Sequence, residues 1–445
     1  MSRLLLVNGT LVNEGREFES DILIDGDRIE RIDSNLSATA VDEVIDVRGC
    51  HVLPGLIDDQ VHLREPGLTH KATIPSESRA AICGGVTSFM EMPNTSPPTT
   101  DSAALAEKYI RAKGRSYANY AFYLGATNNN LEEIRRVTSA NACGIKVFMG
   151  ASTGNMLVDD HEVLEKIFSD AQLLIATHCE DTPLIRANEE IFRERYGEDV
   201  PISAHPEIRS TEACYLSSSL AVEIARRYGT RLHVLHLTTA RELELFESGP
   251  IDSKHITAEA CVHHLWFDES DYAALGTRIK CNPAIKTASD RKSLIHAVQE
   301  DRIDVIATDH APHTLDEKNQ PYFKAPAGLP LVQHSLQMLL QQHCDGLFSL
   351  DQIVTKTAHN PARLFGVVER GFLREGYYAD LVVVDLKQVS EVTPESLKYL
   401  CGWSPLEGQK LNSRVIATVV NGVVVFRNGE VMEKPQGRPL EFKQK

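Results

Sequence analysis

Eight short apolar segments, each ending in or followed by polar residues, are spaced along most of this chain. Helix-like segments separate several of them, for example AALAEKYIRAKG, DHEVLEKIFSD and SDRKSLIHAVQED. Strands that alternate with helices in this way form parallel sheets, because each crossover helix returns the chain to the same edge. Eight parallel strands are the number that closes a barrel. The eight segments are GLIDDQVHLRE, VTSFMEMPN, ANYAFYLG, GIKVFMG, LLIATHCE, LHVLHLTT, ITAEACVHH and IDVIATD.

The two ends of the chain have a different pattern. Residues 3–53 read as short strands with an Asp-Gly turn, and the C-terminal region returns to strands, with Asn-Gly turns at Asn421 and Asn428. The strands at one end of the chain cannot bury both faces of a sheet alone. We therefore expect one β-sandwich domain assembled from residues 1–54 and 366–445. The predicted fold class is therefore α/β: a TIM-like (β/α)8 barrel over residues 55–365, with a small β-sandwich domain built from both chain ends.

Composition and charge exclude several classes of protein. The N-terminal apolar segment is too short for a secretory signal or a membrane span, which predicts a cytoplasmic protein without a membrane partner. Nine dispersed cysteines without a CxxC pair indicate reduced thiols. A formal net charge of −16 argues against a nucleic-acid partner, because phosphate backbones bind clustered basic faces. If the substrate is a small anion, local positive charge must bind it.

Lys146, in the segment GIKVFMG, is the residue most difficult to explain structurally. A lysine within an apolar barrel strand is strongly disfavoured unless its charge is paired or removed. One chemical solution is carboxylation, in which the neutral amine adds carbon dioxide and becomes a carboxylate that can bridge two divalent cations. The alternative is a lysine on the outer face of the barrel whose ammonium extends to solvent.

Three further residues stand at the ends of other strands. His178 and His236 could supply the neutral imidazoles that a zinc site with open positions needs. Asp309 could act both as a metal ligand and as a general base, since a carboxylate beside a metal can take and deliver a proton. The carboxyl ends of barrel strands face a shared mouth, so we expect these side chains to meet there.

At these residues the chain resembles the amidohydrolase superfamily and, within it, the dihydroorotase family, in the larger form similar to the dihydroorotase domain of the animal multifunctional pyrimidine protein. The resemblance extends from Gly55 to about Leu411. Its motifs are HLREPGLTHKA, EMPNTSPP, GIKVFMG, THCE, LHVLHLT, AEACVHHL, KCNPAIK, TDHAPHTLDEK and SPLEGQKL.

The resemblance implies a pair of metal ions bridged by carboxylated Lys146. The implied ligands are His178 and His236 on one ion, and His62 and Asp309 on the other. It also implies a clamp on a substrate carboxylate from Arg64, Asn94 and His313, with Asn282 at the ring edge and backbone near Ala327 and Gly328 completing the pocket. A planar guanidinium suits this clamp because it binds a carboxylate through two parallel hydrogen bonds.

Gln60 departs from the family's pattern. The first position of the HxHxR motif is a metal-binding histidine in the family, whereas this chain reads QVHLR from Gln60 to Arg64. An amide oxygen is a poorer zinc ligand than an imidazole. We therefore expect one or two zinc ions per chain, with the His62 and Asp309 site weakened. Glu259 could form a further metal site with His263 or His264, or belong to a polar cluster near the mouth.

The resemblance implies reversible hydrolysis of dihydroorotate to N-carbamoyl-L-aspartate in pyrimidine synthesis. A hydantoinase or allantoinase is a second possibility, although those substrates lack the ring carboxylate that Arg64 would bind. A third is a protein that has lost catalysis because of Gln60 and serves as a partner of aspartate transcarbamoylase. We also expect a homodimer, formed through the β domain or the barrel helices.

Overall fold

The computed structural model describes residues 3–36, 40–150 and 156–444. The strands, in chain order, are β1 (Arg3–Asn13), β2 (Arg16–Asp25), β3 (Arg28–Asp33), β4 (Glu43–Asp46), β5 (His51–Pro54), β6 (Leu56–Val61), β7 (Val86–Glu91), β8 (Asn119–Phe122), β9 (Leu124–Gly125), β10 (Ile145–Phe148), β11 (Ile175–His178), β12 (Leu232–Val234), β13 (Ile256–Cys261), β14 (Val305–Ala307), β15 (Leu381–Asp385), β16 (Ser390–Glu391), β17 (Lys410–Leu411), β18 (Arg414–Val420), β19 (Val423–Arg427) and β20 (Glu430–Val431).

In the sequence, all the α-helices lie between β6 and β15. They are α1 (Ile74–Cys83), α2 (Ser102–Ala112), α3 (Leu131–Arg136), α4 (His161–Asp170), α5 (Thr182–Tyr196), α6 (His205–Ile208), α7 (Thr211–Tyr228), α8 (Val262–Trp266), α9 (Tyr272–Leu275), α10 (Ala288–Gln299), α11 (Leu315–Lys318), α12 (Ser335–Cys344), α13 (Leu350–Val354) and α14 (Asn360–Phe365). Among the described residues, no helix combines the length and the apolar character needed to cross a membrane.

The centre of the molecule is a barrel of parallel strands. Parallel pairing runs from β6 to β8 and from β9 to β14, and β8 and β9 are one strand interrupted at Tyr123. The ring closes where Val61 bridges His310 and the His62 amide donates to the His310 carbonyl at 2.7 Å. All eight predicted strands therefore enter the barrel, and their buried apolar side chains form its core.

The strands of the two chain ends pair with each other. β15 lies antiparallel to β5 and to β18, so a sheet of nine strands joins residues near both termini. β1 pairs with β2 on one edge and with β4 and then β5 on the other. One apolar cluster packed on this sheet includes Leu6, Ile24 and Val383. The predicted fold class, a barrel with a β domain assembled from both ends, is confirmed.

Local sequence explains where the helices begin. Thr73 accepts a hydrogen bond from the Ser76 amide at the start of α1, and Asp101, Asp160 and Asp181 cap α2, α4 and α5 in the same way. Two long helices, α5 and α7, lie between Glu180 and Tyr228. Arg209, in the turn before α7, forms an ion pair with Glu180.

Candidate active site

The carboxyl ends of the barrel strands surround a cavity of about 740 Å3, counting its open mouth. All the predicted metal-binding and substrate-binding side chains line it, whereas Glu259 and His263 do not. Its lining residues are Gln60, His62, Arg64, Asn94, Lys146, Phe148, His178, His236, Asn282, Asp309, Ala311, His313, Pro326, Ala327 and Gly328.

The Lys146 side chain lies inside the barrel rather than on its outer face. It is 1% exposed, and its Nζ lies 4.8 Å from the centroid of the Phe148 ring. Burial lowers the pKa of Lys146 to about 8. A substantial fraction of the amine is therefore neutral near physiological pH, and the neutral amine is the form that can add carbon dioxide.

Two neutral histidines face each other next to Lys146. His178 Nδ1 lies 3.0 Å from His236 Nε2, and burial lowers the pKa of both rings. The second nitrogen of His178 donates to Glu180 Oε2 at 3.0 Å, and Arg209 forms an ion pair with the same carboxylate. Glu180 thereby fixes the tautomer that leaves His178 Nδ1 free, as carboxylates do for metal-binding histidines.

A second pair of donor atoms lies across the cavity. His62 Nδ1 donates to Asn94 Oδ1 at 2.7 Å, so its Nε2 faces Asp309 Oδ1, 3.0 Å away. Burial alone would raise the pKa of Asp309, but its close contact with His62 and the nearby positive charge outweigh it and hold the pKa below its usual value. Asp309 is therefore ionised, and a cation between these two atoms would satisfy both.

Gln60 is oriented as a hydrogen-bond donor toward this second pair. Its Nε2 donates to Asp309 Oδ1 at 3.2 Å, and its Oε1 accepts from Cys261 Sγ at 3.6 Å. The amide oxygen, the only atom of Gln60 that could bind a cation, is thus turned away from Asp309. In this orientation the Gln60 side chain offers no ligand atom to a cation between His62 and Asp309.

The positive side of the cavity is built around Arg64 and His313. Arg64 Nε donates to the Pro312 carbonyl at 3.0 Å, and burial lowers the pKa of Arg64 to about 10, so it remains charged at neutral pH. His313 Nδ1 accepts from Lys71 Nζ at 3.0 Å, and its Nε2 donates to the Ala327 carbonyl at 3.0 Å. The buried Oδ1 of Asn282, without a partner among the described residues, is free to accept from a ligand.

Three of these residues have an uncommon backbone conformation. Arg64, His236 and Asp309 have φ angles of 65°, 40° and 45°, in the left-handed region that costs energy for residues other than glycine. Each stands where a barrel strand ends. Such strain persists only where surrounding contacts enforce it, and it is concentrated at functional sites.

Glu259 lies in a separate cluster below the cavity floor. The structure groups it with Asp59 and His233, and groups His263 and His264 with Cys261 instead, so of the two alternatives for Glu259 it favours a polar cluster over a site with either of these histidines. Burial alone would lower the pKa of His233, but the neighbouring carboxylates of Asp59 and Glu259, 3.3 Å and 3.6 Å from its Nε2, raise it to about 9. A charged His233 then balances part of this buried negative charge.

The donor set of the upper cavity fits a divalent metal ion. It offers neutral imidazole nitrogens, an ionised carboxylate and an amine that can become a carboxylate, all from separate strands. Sequence reasoning missed Glu180, Arg209 and Lys71, which orient the metal-binding and substrate-binding side chains. The spacing of His178 and Glu180 in THCE was the only sequence signal for any of them.

Comparison with known proteins gives consistent results. The model of the amidohydrolase family matches residues 51–425. The dihydroorotase of Pyrococcus furiosus is 32% identical over 443 residues, which cover 99% of this chain and 97% of that protein. The dihydroorotase of Halobacterium salinarum is 34% identical over 426 residues, covering 94% and 96%. Among solved structures, an L-hydantoinase (dihydropyrimidinase) from Arthrobacter aurescens superposes with a TM-score of 0.94 at 28% identity, covering 99% of this chain and all of that one.

Proposed function

Because this chain belongs to the amidohydrolase family and, within it, to the dihydroorotases, we propose that it catalyses the reversible hydrolysis of dihydroorotate to N-carbamoyl-L-aspartate, the ring-closing step of pyrimidine synthesis when run in reverse. One observation carries this proposal: the guanidinium of Arg64 is buried and lines the same cavity as the candidate metal-binding residues. A ring carboxylate is the substrate feature that such a group binds best.

The hydantoinase alternative has one observation in its favour, which is the close structural match to the hydantoinase of Arthrobacter aurescens. That match concerns the backbone, which related cyclic amidohydrolases share. Hydantoin itself has no carboxylate, so the charge of Arg64 would be buried without a function. Dihydroorotate supplies the negative charge that balances it.

We further propose that the metal is zinc and that Lys146 is carboxylated. Lys146, His178 and His236 would hold one ion, and His62, Asp309 and the same lysine the other. When bound, zinc lowers the pKa of a water molecule and polarises the carbonyl that is attacked. The neutral state of both buried histidines and the lowered pKa of Lys146 support this assignment.

Side chains of the protein transfer the protons and bind the substrate. Asp309 accepts a proton from the attacking water at a carboxylate oxygen and delivers it to the ring nitrogen as the amide carbon–nitrogen bond breaks. In the synthetic direction the same carboxylate removes a proton from the carbamoyl nitrogen. Arg64 and His313 hold the substrate carboxylate, and Asn282 Oδ1 accepts a hydrogen bond from the ring. Glu180 and Asn94 keep His178 and His62 in the tautomers that face the cavity.

Replacing Gln60 with histidine should strengthen the second metal site. The change exchanges an amide that donates to Asp309 for an imidazole that can bind zinc, so bound zinc should rise from about one to about two ions per chain at limiting zinc. Elemental analysis after gel filtration measures this, with Gln320→His, an added histidine at an exposed position, as the control. Two fully occupied zinc positions in the unaltered protein, seen by anomalous scattering, would contradict the prediction.

A substrate panel tests the function directly. Purified protein loaded with zinc should hydrolyse dihydroorotate, and form it from N-carbamoyl-L-aspartate, far faster than it hydrolyses hydantoin or allantoin. The Arg64→Met variant should raise the KM for dihydroorotate by about 10- to 100-fold, because a charge-assisted bidentate contact is lost. Faster turnover of hydantoin would favour the hydantoinase, and no turnover of any substrate would favour a protein that has lost catalysis.

We also propose a cytoplasmic location and association with other protein chains. All nine cysteines are free thiols, seven of them buried, which supports a reducing cytoplasm. Association as a homodimer, or with aspartate transcarbamoylase, remains a proposal that gel filtration of the protein alone and of the mixture would test.

A further inference from the structure

Two buried lysines beside the cavity have no part in the roles assigned so far. Lys318, at the end of α11, is fully buried, and Lys280 is 8% exposed. The ammonium groups of both donate to backbone carbonyls, and within residues 3–36, 40–150 and 156–444 neither forms an ion pair with a carboxylate. Burying an ammonium without a counter-ion is costly, so the arrangement calls for an explanation.

The contacts of Lys318 use its whole hydrogen-bonding capacity. Its Nζ donates to the carbonyls of Lys280 at 3.0 Å, Pro326 at 2.9 Å and Gly328 at 2.9 Å. An ammonium has three hydrogens, and each has an acceptor here. Burial, with the neighbouring charges of Lys280 and Arg64, lowers the pKa of Lys318 to about 7, and it is the protonated form that can donate to all three carbonyls. Lys318 is therefore suited to hold backbone in place rather than to exchange protons with a substrate.

Lys280 holds the preceding part of the same segment. Its Nζ donates to the carbonyls of Tyr322 at 2.5 Å and Ala325 at 2.8 Å, and its own carbonyl accepts from the Gly328 amide at 2.9 Å. The two ammonium groups together bind four carbonyls between residues 322 and 328. This stretch contains no helix or strand, so its inward carbonyls depend on such donors.

The held segment forms one wall of the cavity. Pro326, Ala327 and Gly328 line it, and the Ala327 carbonyl accepts from His313 Nε2. The fit is tight at Gly328, where φ is 141° and an added Cβ would lie 2.4 Å from the Ala311 carbonyl oxygen. A small displacement of this wall would therefore alter both the space for the ring and the orientation of His313.

We propose that Lys318 is a positioning residue, which fixes the wall from Pro326 to Gly328 against the substrate ring and thereby sets the affinity for dihydroorotate. The proposal rests on the proposed function. Lys318 acts through backbone and touches no reacting atom, so its removal should affect substrate binding more than the chemical step, and should leave the metal ligands in place.

The test compares Lys318→Met with Lys324→Met, which removes an exposed lysine from the same loop. In Lys318→Met the KM for dihydroorotate should rise about tenfold or more while kcat falls less than about threefold, because binding geometry rather than chemistry is lost. Zinc content should equal that of the unaltered protein, and hydrogen exchange should accelerate in peptides that cover residues 322–328. Lys324→Met should change none of these quantities.

If Lys318→Met does not fold, Lys280→Met, which removes two of the donations, should show the same division between KM and kcat with a smaller change. A KM and kcat both within twofold of the unaltered values, or equal losses in both, would overturn the proposal. Failure of the proposed function is a separate outcome, since the unaltered protein would then show no turnover of dihydroorotate. In that case unchanged hydrogen exchange at 322–328 in Lys318→Met would still reject the positioning role.

Discussion

Replacing Lys146 with methionine should lower dihydroorotate turnover by at least about 1,000-fold and should empty the zinc site beside His178 and His236. Methionine has a similar volume and suits the buried strand, so the barrel should fold. What is lost is the amine that would become the carboxylate ligand proposed beside His178 and His236. The combined loss of metal and activity separates this change from one that merely disturbs packing.

Elemental analysis and steady-state kinetics on the same preparation measure both effects. Lys113→Met, at an exposed position, serves as the control and should retain zinc and activity. A second arm uses the unaltered protein, stripped of metal and reconstituted with zinc with or without bicarbonate. Because burial lowers the pKa of Lys146 to about 8, the neutral amine is available and reactivation should depend on bicarbonate. Full reactivation under rigorously carbon dioxide-free conditions would reject the carboxylated lysine.

The pattern of strand ends allowed much of this site to be predicted from the sequence. Residues on a parallel strand alternate between faces, and the last inward residues of all eight strands share one mouth. Lys146, His178 and Asp309 stand at such positions, so their convergence followed from the fold class alone. The barrel could likewise be predicted from the strand pattern alone, without knowing the conformation of the loops.

Other parts of the site depend on contacts that local patterns do not encode. Arg209 reaches Glu180 from the turn before α7, and Lys71 reaches His313 across more than 240 positions of sequence. Alternation also fails where a strand is irregular: the pairing of β6 with β7 shifts between Asp58 and Val61. Because Asp59 stands at that irregularity, alternation along β6 did not predict its place beside His233 and Glu259.

Gln60 shows the limit of inference from a motif. The missing histidine predicted a weaker second metal site, but not what the glutamine does in its place. In the structure its amide donates to Asp309 Oδ1, the same oxygen that lies 3.0 Å from His62 Nε2. Gln60 therefore helps to hold the Asp309 carboxylate in position, which is consistent with an active enzyme rather than one that has lost catalysis.

Asp309→Asn should reduce kcat in both directions by about 1,000-fold or more while the zinc ion beside Lys146, His178 and His236 stays bound. Asparagine keeps the size of the side chain and a partner for Gln60, but it can neither accept the proton of the attacking water nor carry it to the ring nitrogen. The affinity for dihydroorotate should change little, because Arg64 and His313 bind its carboxylate independently of Asp309.

Three measurements on one preparation distinguish this variant from Lys146→Met: steady-state kinetics, zinc content and dihydroorotate binding by calorimetry. In Lys146→Met, zinc and turnover should be lost together. Asp316→Asn, which removes an exposed carboxylate of α11, is the matched control and should behave as the unaltered protein. Residual kcat within tenfold of the unaltered value would remove Asp309 from the proton transfer. Loss of the remaining zinc would instead make it a ligand of the ion assigned to Lys146 and the two histidines, and the division of the cavity into a strong and a weak metal site would then be wrong.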